Sequence, residues 1–173
     1  MKHYSLVYNS QTGNTVLLAE QIKKLLPEEA WKHFGAPSPA GADADFIFAG
    51  FWTDKGDCPK DMADFLESLQ NKTVFLFGTA GFGGEEAYYQ KILARVKKHL
   101  ASSNQIAGTF MCQGKMPPAV RSRYVQMLEK SPEDPHLVGM VANFDQALSH
   151  PDSDDMAKLT EAARAALNGF TNL

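Results

Sequence analysis

The sequence predicts an α/β fold: a doubly wound sheet of five parallel strands, covered by helices on both faces, with extra helices after the fifth strand. Two runs, Asp45-Phe46-Ile47-Phe48-Ala49-Gly50 and Thr73 to Gly78, are almost wholly apolar. They lack the in–out alternation of a half-exposed strand, as parallel strands buried on both faces do. Stretches of helical periodicity alternate with these and other strand-like runs, and that alternation builds a parallel sheet. Three strand ends also open into loops rich in glycine, hydroxyl or aromatic residues. At 173 residues the chain is expected to form one domain over residues 1–173.

The first strand is Tyr4-Ser5-Leu6-Val7-Tyr8, rich in β-formers. After the loop Ser10–Thr15 comes a helix with Leu18, Ile22, Leu25 and Leu26 on one face, ended by Pro27. Trp31 to Phe34 is a short second strand, and Gly35 to Ala44, with two prolines and two glycines, is a loop. The third strand, Asp45 to Gly50, leads into Phe51-Trp52-Thr53-Asp54-Lys55-Gly56-Asp57. A helix from near Pro59 follows, with Met62, Phe65, Leu66 and Leu69 at i, i+3, i+4, i+7. The fourth strand, Thr73 to Gly78, leads into Thr79-Ala80-Gly81-Phe82-Gly83-Gly84 and a helix presenting Tyr89, Ile92, Leu93, Val96 and Leu100. Ile106 to Cys112 is the fifth strand.

Beyond it the pattern changes to three helical stretches. Their stripes are Val120, Tyr124, Met127 and Leu128; then Leu137, Met140, Val141, Phe144 and Leu148, started after Asp134-Pro135; then Met156, Leu159, Ala163, Ala166 and Leu167, stopped by Asn168-Gly169. With a phosphate-type loop after the first strand, the expected strand order is 2-1-3-4-5. Ligands then bind outside the carboxyl ends of the strands, where strand order reverses. Ser10–Thr15, Phe51–Asp57 and Thr79–Gly84 should converge there.

Formal net charge is −3, which gives no sign of a nucleic-acid partner or an anionic membrane surface. No apolar run approaches the ~20 residues that span a bilayer. Met1-Lys2-His3 runs straight into the first strand without a signal segment, so a cytoplasmic protein is expected. Cys58 and Cys112 lack CxxC or zinc spacing and read as free thiols.

Ser10-Gln11-Thr12-Gly13-Asn14-Thr15 joins a strand to a helix start. The first-turn N–H groups of such a helix have no intrahelical acceptor, and its dipole favours an anion. Ser10, Thr12 and Thr15 can add hydroxyl donors, and Gly13 permits a tight turn. No Lys or Arg sits in the loop, which points to one compact phosphate held by neutral donors. Walker A and GxGxxG patterns are absent, as are phosphorelay acids and the Cys–Arg spacing of a cysteine phosphatase. Phe51, Trp52 and Phe82 offer aromatic surface for a planar heterocycle.

The loop matches (S/T)-x-T-G-x-T in both letters and position, and here the chain resembles the flavodoxin family. The resemblance covers about residues 1–112 in element order, plus the last helix, Pro151 to Leu167. It implies a flavodoxin-like fold and bound FMN, with Ser10, Gln11, Thr12, Gly13, Asn14 and Thr15 around the phosphate. Phe51, Trp52, Thr53, Lys55 and Gly56, with Thr79, Ala80, Gly81, Phe82 and Gly83, would flank the isoalloxazine, Trp52 and Phe82 stacking on it. The two aromatic loops also look like a branch associated with bilirubin reduction in anaerobic bacteria.

Two features depart from many acidic flavodoxins. The second flavin loop has Phe82 and no acid before Glu85, and Lys55 is the nearby charge, so a less negative flavin potential is expected. Residues Gln113 to Pro151 add two helical stretches at the flavin rim, readable as a lid, a docking surface, a dimer contact or an ornament of the core. The resemblance implies an electron carrier serving a partner reductase. The alternative is an FMN-dependent NAD(P)H reductase acting directly on a quinone or other small molecule, with Arg121, Arg123 and His136 able to meet a carboxylate. A third is a docking module that has lost its flavin.

Overall fold

The computed structural model describes residues 2–172. Its five strands are β1 (Tyr4–Tyr8), β2 (Trp31–Gly35), β3 (Phe46–Trp52), β4 (Thr73–Ala80) and β5 (Gln105–Gln113). All neighbouring pairs are parallel, in the order β2-β1-β3-β4-β5. The expected sheet is the observed one.

Alternate residues along each strand face opposite sides, and the sheet therefore has two cores. Val7, Ile47, Ala49, Val74 and Leu76 pack on one face with Met62 and Leu66 of α2 (Lys60–Ser68) and Ile92 and Val96 of α3 (Glu86–Lys97). Leu6, Phe46, Phe48, Phe75 and Phe77 pack on the other with Leu18 and Ile22 of α1 (Asn14–Lys23) and Leu159 and Ala163 of α6 (Ser153–Thr171). The two remaining helices, α4 (Pro118–Lys130) and α5 (Pro135–Ala147), follow β5. Their buried residues, Tyr124, Leu137, Phe144 and Ala147, belong to neither of these cores.

Helix ends differ from expectation in α1 and α6. α1 stops at Lys23, short of Leu25 and Leu26: Pro27 has no N–H for the Lys23 carbonyl, which accepts instead from the Trp31 indole N–H at 3.3 Å. α6 runs through Asn168-Gly169 to Thr171. Phe170, one residue past the glycine, packs on Tyr4 and Phe46, with ring centroids 6.0 and 5.1 Å away. In the α4 and α5 stripes Met127 and Leu148 are exposed rather than buried. The expected loop Gly35–Ala44 contains a short 3-10 turn, Pro39–Asp43. Cys58 and Cys112 are free thiols, both buried. No helix among the described residues is long and apolar enough to cross a membrane.

Candidate functional site

The loop after β1 is built to leave a helix start open. Asn9 donates its N–H to the Gly50 carbonyl and its Nδ2 to Asp61 Oδ1, at 3.2 and 2.8 Å, tying the loop to β3 and α2. Gly13 sits at φ +91°, a left-handed conformation in which a side chain would be strained, and its N–H donates to Ser10 Oγ at 3.1 Å. It is the N-cap of α1, and no side chain caps that helix. The first-turn N–H groups are left for an outside acceptor. Asn14 is buried; its Nδ2 donates to Thr12 Oγ1 and to the Lys115 carbonyl, at 3.0 and 2.9 Å, while its Oδ1 has no partner. Thr15 is wholly buried and its hydroxyl lies 3.2 Å from that of Thr79. It braces the loop against β4 instead of facing outward.

β3 continues to Trp52, two residues past its expected end. Phe51 and Trp52 therefore point to opposite faces. Phe51 is fully buried in the core with α2 and α3, beneath Gly78, where an added Cβ would lie 2.6 Å from its ring. This corrects the expectation that Phe51 flanks a cofactor. Thr53 donates both its N–H and its hydroxyl to the Thr79 carbonyl, at 3.0 and 2.8 Å. Asp54 and Asp57 then exchange backbone hydrogen bonds of 2.8 and 3.0 Å around Lys55 and Gly56, at φ +49° and +83°. Positive φ at both central residues is the two-residue turn that suits a twisted hairpin. Lys55 is at its exposed tip.

The base of this hairpin is tied to α2 and to the residues after α3. His99 Nε2 lies 3.1 Å from the Asp57 carboxylate and its Nδ1 3.0 Å from Glu67. Burial lowers the imidazole pKa, but the hydrogen bonds to Glu67 and Asp57 outweigh it and the net shift is upward.

The three loops meet in a cleft of about 310 Å³ at the carboxyl ends of the strands. Gln11, Thr12 and Asn14 line it from the first loop, Trp52, Thr53, Lys55 and Gly56 from the second, and Thr79, Ala80, Gly81 and Phe82 from the third. Ser10, Gly13, Thr15, Phe51 and Gly83 stand outside that lining. Sequence reasoning missed Tyr88 and the whole β5–α4 connection, Gly114, Lys115, Met116 and Pro117, which closes the cleft from the β5 side. The signal was available, since the connection also leaves the carboxyl end of a strand and carries Gly and Pro-Pro. Arg121 is paired with Asp145 at 2.8 Å, and neither it nor Arg123 nor His136 lines the cleft.

Lys55 and Lys115 are the charged residues of the lining, which holds no carboxylate, His or Cys. An uncapped helix start, two ammonium groups and the aromatic rings of Trp52, Phe82 and Tyr88 suit an anionic ligand with a planar ring.

Comparison with known proteins agrees with this geometry. The flavodoxin domain model matches residues 5–164. A flavodoxin-like domain-containing protein BilS from Clostridium symbiosum (strain WAL-14163) is 40% identical, covering 89% of this chain and 90% of that protein. The protein of the same name from Clostridioides difficile (strain CD3) is 32% identical, over 92% of this chain and 93% of its own. Among solved structures, a short-chain flavodoxin associated with a bacterial microcompartment superposes with a TM-score of 0.56 at 15% identity, over 98% of this chain and 99% of that one. The rubredoxin oxygen:oxidoreductase of Desulfovibrio gigas gives 0.54 at 16% identity, over 97% of this chain and 37% of its own. The two structures show the fold, and the family model and the two relatives show the kinship: the chain belongs to the flavodoxin family.

Proposed function

We propose that this protein is a cytoplasmic FMN-binding electron carrier that serves a partner reductase, in the reduction of bilirubin or a related tetrapyrrole. One observation carries the cofactor: the cleft joins an open helix start to an aromatic end, with two lysines and no carboxylate between them. Residues and cofactor fit. The α1 N-terminus and Thr12 suit a phosphate, and Asn14 fixes Thr12 and the Lys115 carbonyl beside it through its Nδ2. Trp52 and Phe82 offer faces for the ring. Bound FMN supplies the redox chemistry; the protein holds the ring, sets its potential and leaves it reachable.

A carrier fits better than a self-sufficient reductase because the lining holds no His, Cys or carboxylate beside the groups that would hold the flavin. The resemblance of the two aromatic loops to the bilirubin-reducing branch supports the tetrapyrrole setting, and the similarity to the two BilS proteins places the chain among flavodoxin-like domain proteins.

The test is titration of purified protein with FMN, followed by flavin fluorescence and by mass spectrometry of the bound ligand. One FMN per chain is expected, and a Thr12→Ala/Thr15→Ala double variant should bind roughly a hundredfold more weakly, through loss of the Thr12 hydroxyl in the cleft and of the Thr15–Thr79 brace that holds the loop. Stoichiometric flavin retained by that variant overturns the phosphate-loop reading. Steady NAD(P)H turnover with a small acceptor, without a second protein, would make the protein an enzyme in its own right.

A further inference from the structure

We propose that Asn143 on α5 and Gln113 at the end of β5 are positioning residues for the flavin ring, acting through the Gly81 carbonyl; this rests on the FMN reading above. Gln113 Nε2 and Asn143 Nδ2 each donate to that oxygen at 3.1 Å, and Gln113 Nε2 also lies 3.0 Å from Asn143 Oδ1. A carbonyl oxygen has two lone pairs, and both are taken. Gln113 is buried, and neither side chain lines the cleft. They touch the loop from behind while Gly81 and Phe82 form the wall in front.

The loop is also pressed down on either side of Phe82. A Cβ on Gly81 would lie 2.6 Å from Met116 Sδ; one on Gly83 would lie 2.7 Å from the Tyr89 hydroxyl and 2.8 Å from Gln113 Cβ. Phe82 stands between these two contacts at 39% exposure. A Gly81 carbonyl engaged by two side-chain amides is not free to accept from a ring, so the loop acts on the flavin through its N–H groups and the Phe82 face. Asn143 thereby gives the α4–α5 pair a part in flavin binding that sequence spacing does not reveal. Asn143 is 62 residues from Gly81 along the chain.

The experiment compares the unaltered protein with Asn143→Leu, Asn143→Asp and, as a control on the same helix, Asp145→Asn, which breaks only the pair with Arg121. Hydrogen exchange of the Gly81–Gly84 amides is read without flavin, and the FMN dissociation constant and midpoint potential are read with it. Asn143→Leu and Asn143→Asp both remove the donor to Gly81. Each should speed exchange in that loop about tenfold and raise the dissociation constant roughly five- to tenfold, as loss of one buried hydrogen bond does. Asp145→Asn should stay within about twofold in exchange and affinity and leave the midpoint potential unchanged. Unchanged exchange and affinity in both Asn143 variants overturn the inference. An effect of Leu that Asp lacks also overturns it, because the role is then packing. Unaltered protein that binds no FMN defeats the cofactor reading instead, and the exchange measurement still decides whether Asn143 holds the loop.

Discussion

Lys55 stands at the tip of a two-residue turn whose positive φ angles fix where it can project. It is one of two cations on a lining without carboxylates. A positive charge near a flavin favours the reduced, more negative ring by Coulomb interaction. Replacing Lys55 with Met should make the potential more negative by some tens of millivolts, less at high salt because an exposed charge is screened within about 10 Å at 0.1 M. Anaerobic redox titration of the two proteins checks this, and an unchanged potential would remove Lys55 from the account. At this scale the turn at Gly13 was legible, because its positive φ is a backbone demand that glycine meets without strain. Phe51 was not, because an error of two residues in the end of a strand reassigns which of two adjacent aromatics faces out. Thr15 shows a further limit: its letter fits a donor to phosphate, but its hydroxyl is turned to Thr79.

At the scale of elements, the β3–α2 hairpin depends on groups far along the chain. His99 lies between Asp57 at the hairpin base and Glu67 on α2. Its pKa is raised in the folded protein by those two carboxylates, against the lowering effect of burial. A raised folded pKa means that protonation favours folding. The contribution is whole below the unfolded value of about 6.5 and is lost as pH rises through the higher folded value. His99→Gln should therefore melt below the unaltered protein near pH 5.5 and together with it near pH 8.5. Partly exposed pairs of this kind contribute about 1 kcal/mol or less, a few degrees in melting temperature. A gap that persists undiminished at pH 8.5 would assign His99 a packing role. Helices α2 and α3 were legible as apolar stripes with consistent burial. The end of α6 was not, since Phe170 packs on Tyr4 and Phe46 through contacts that no local window contains.

Across the whole molecule, the parallel sheet follows from the alternation of strands and helices and its order from the phosphate-type loop after β1, and that order brings the cleft-forming loops to one rim. The place of α4 and α5 does not follow, because an amphipathic stripe states that a face is buried and not against what. Here the structure supplies a test. The Lys115 N–H donates to the His150 carbonyl at 3.1 Å, so the two ends of the intervening segment are adjacent. The buried residues of α4 and α5 lie outside both main cores. A chain in which residues 116–149 are replaced by a short glycine linker should still fold and melt cooperatively, within about 10 °C of the full chain, because both faces of the sheet keep their helices. It should bind FMN at least roughly tenfold more weakly, since Met116 and Pro117 leave the lining and the Gly81 carbonyl loses Asn143. Circular dichroism and flavin fluorescence separate the two effects. A shortened chain that does not fold would make the segment part of the core. One that folds and binds FMN at full strength would free the segment from flavin binding, leaving its exposed Met127, Val138 and Leu148 as what it presents.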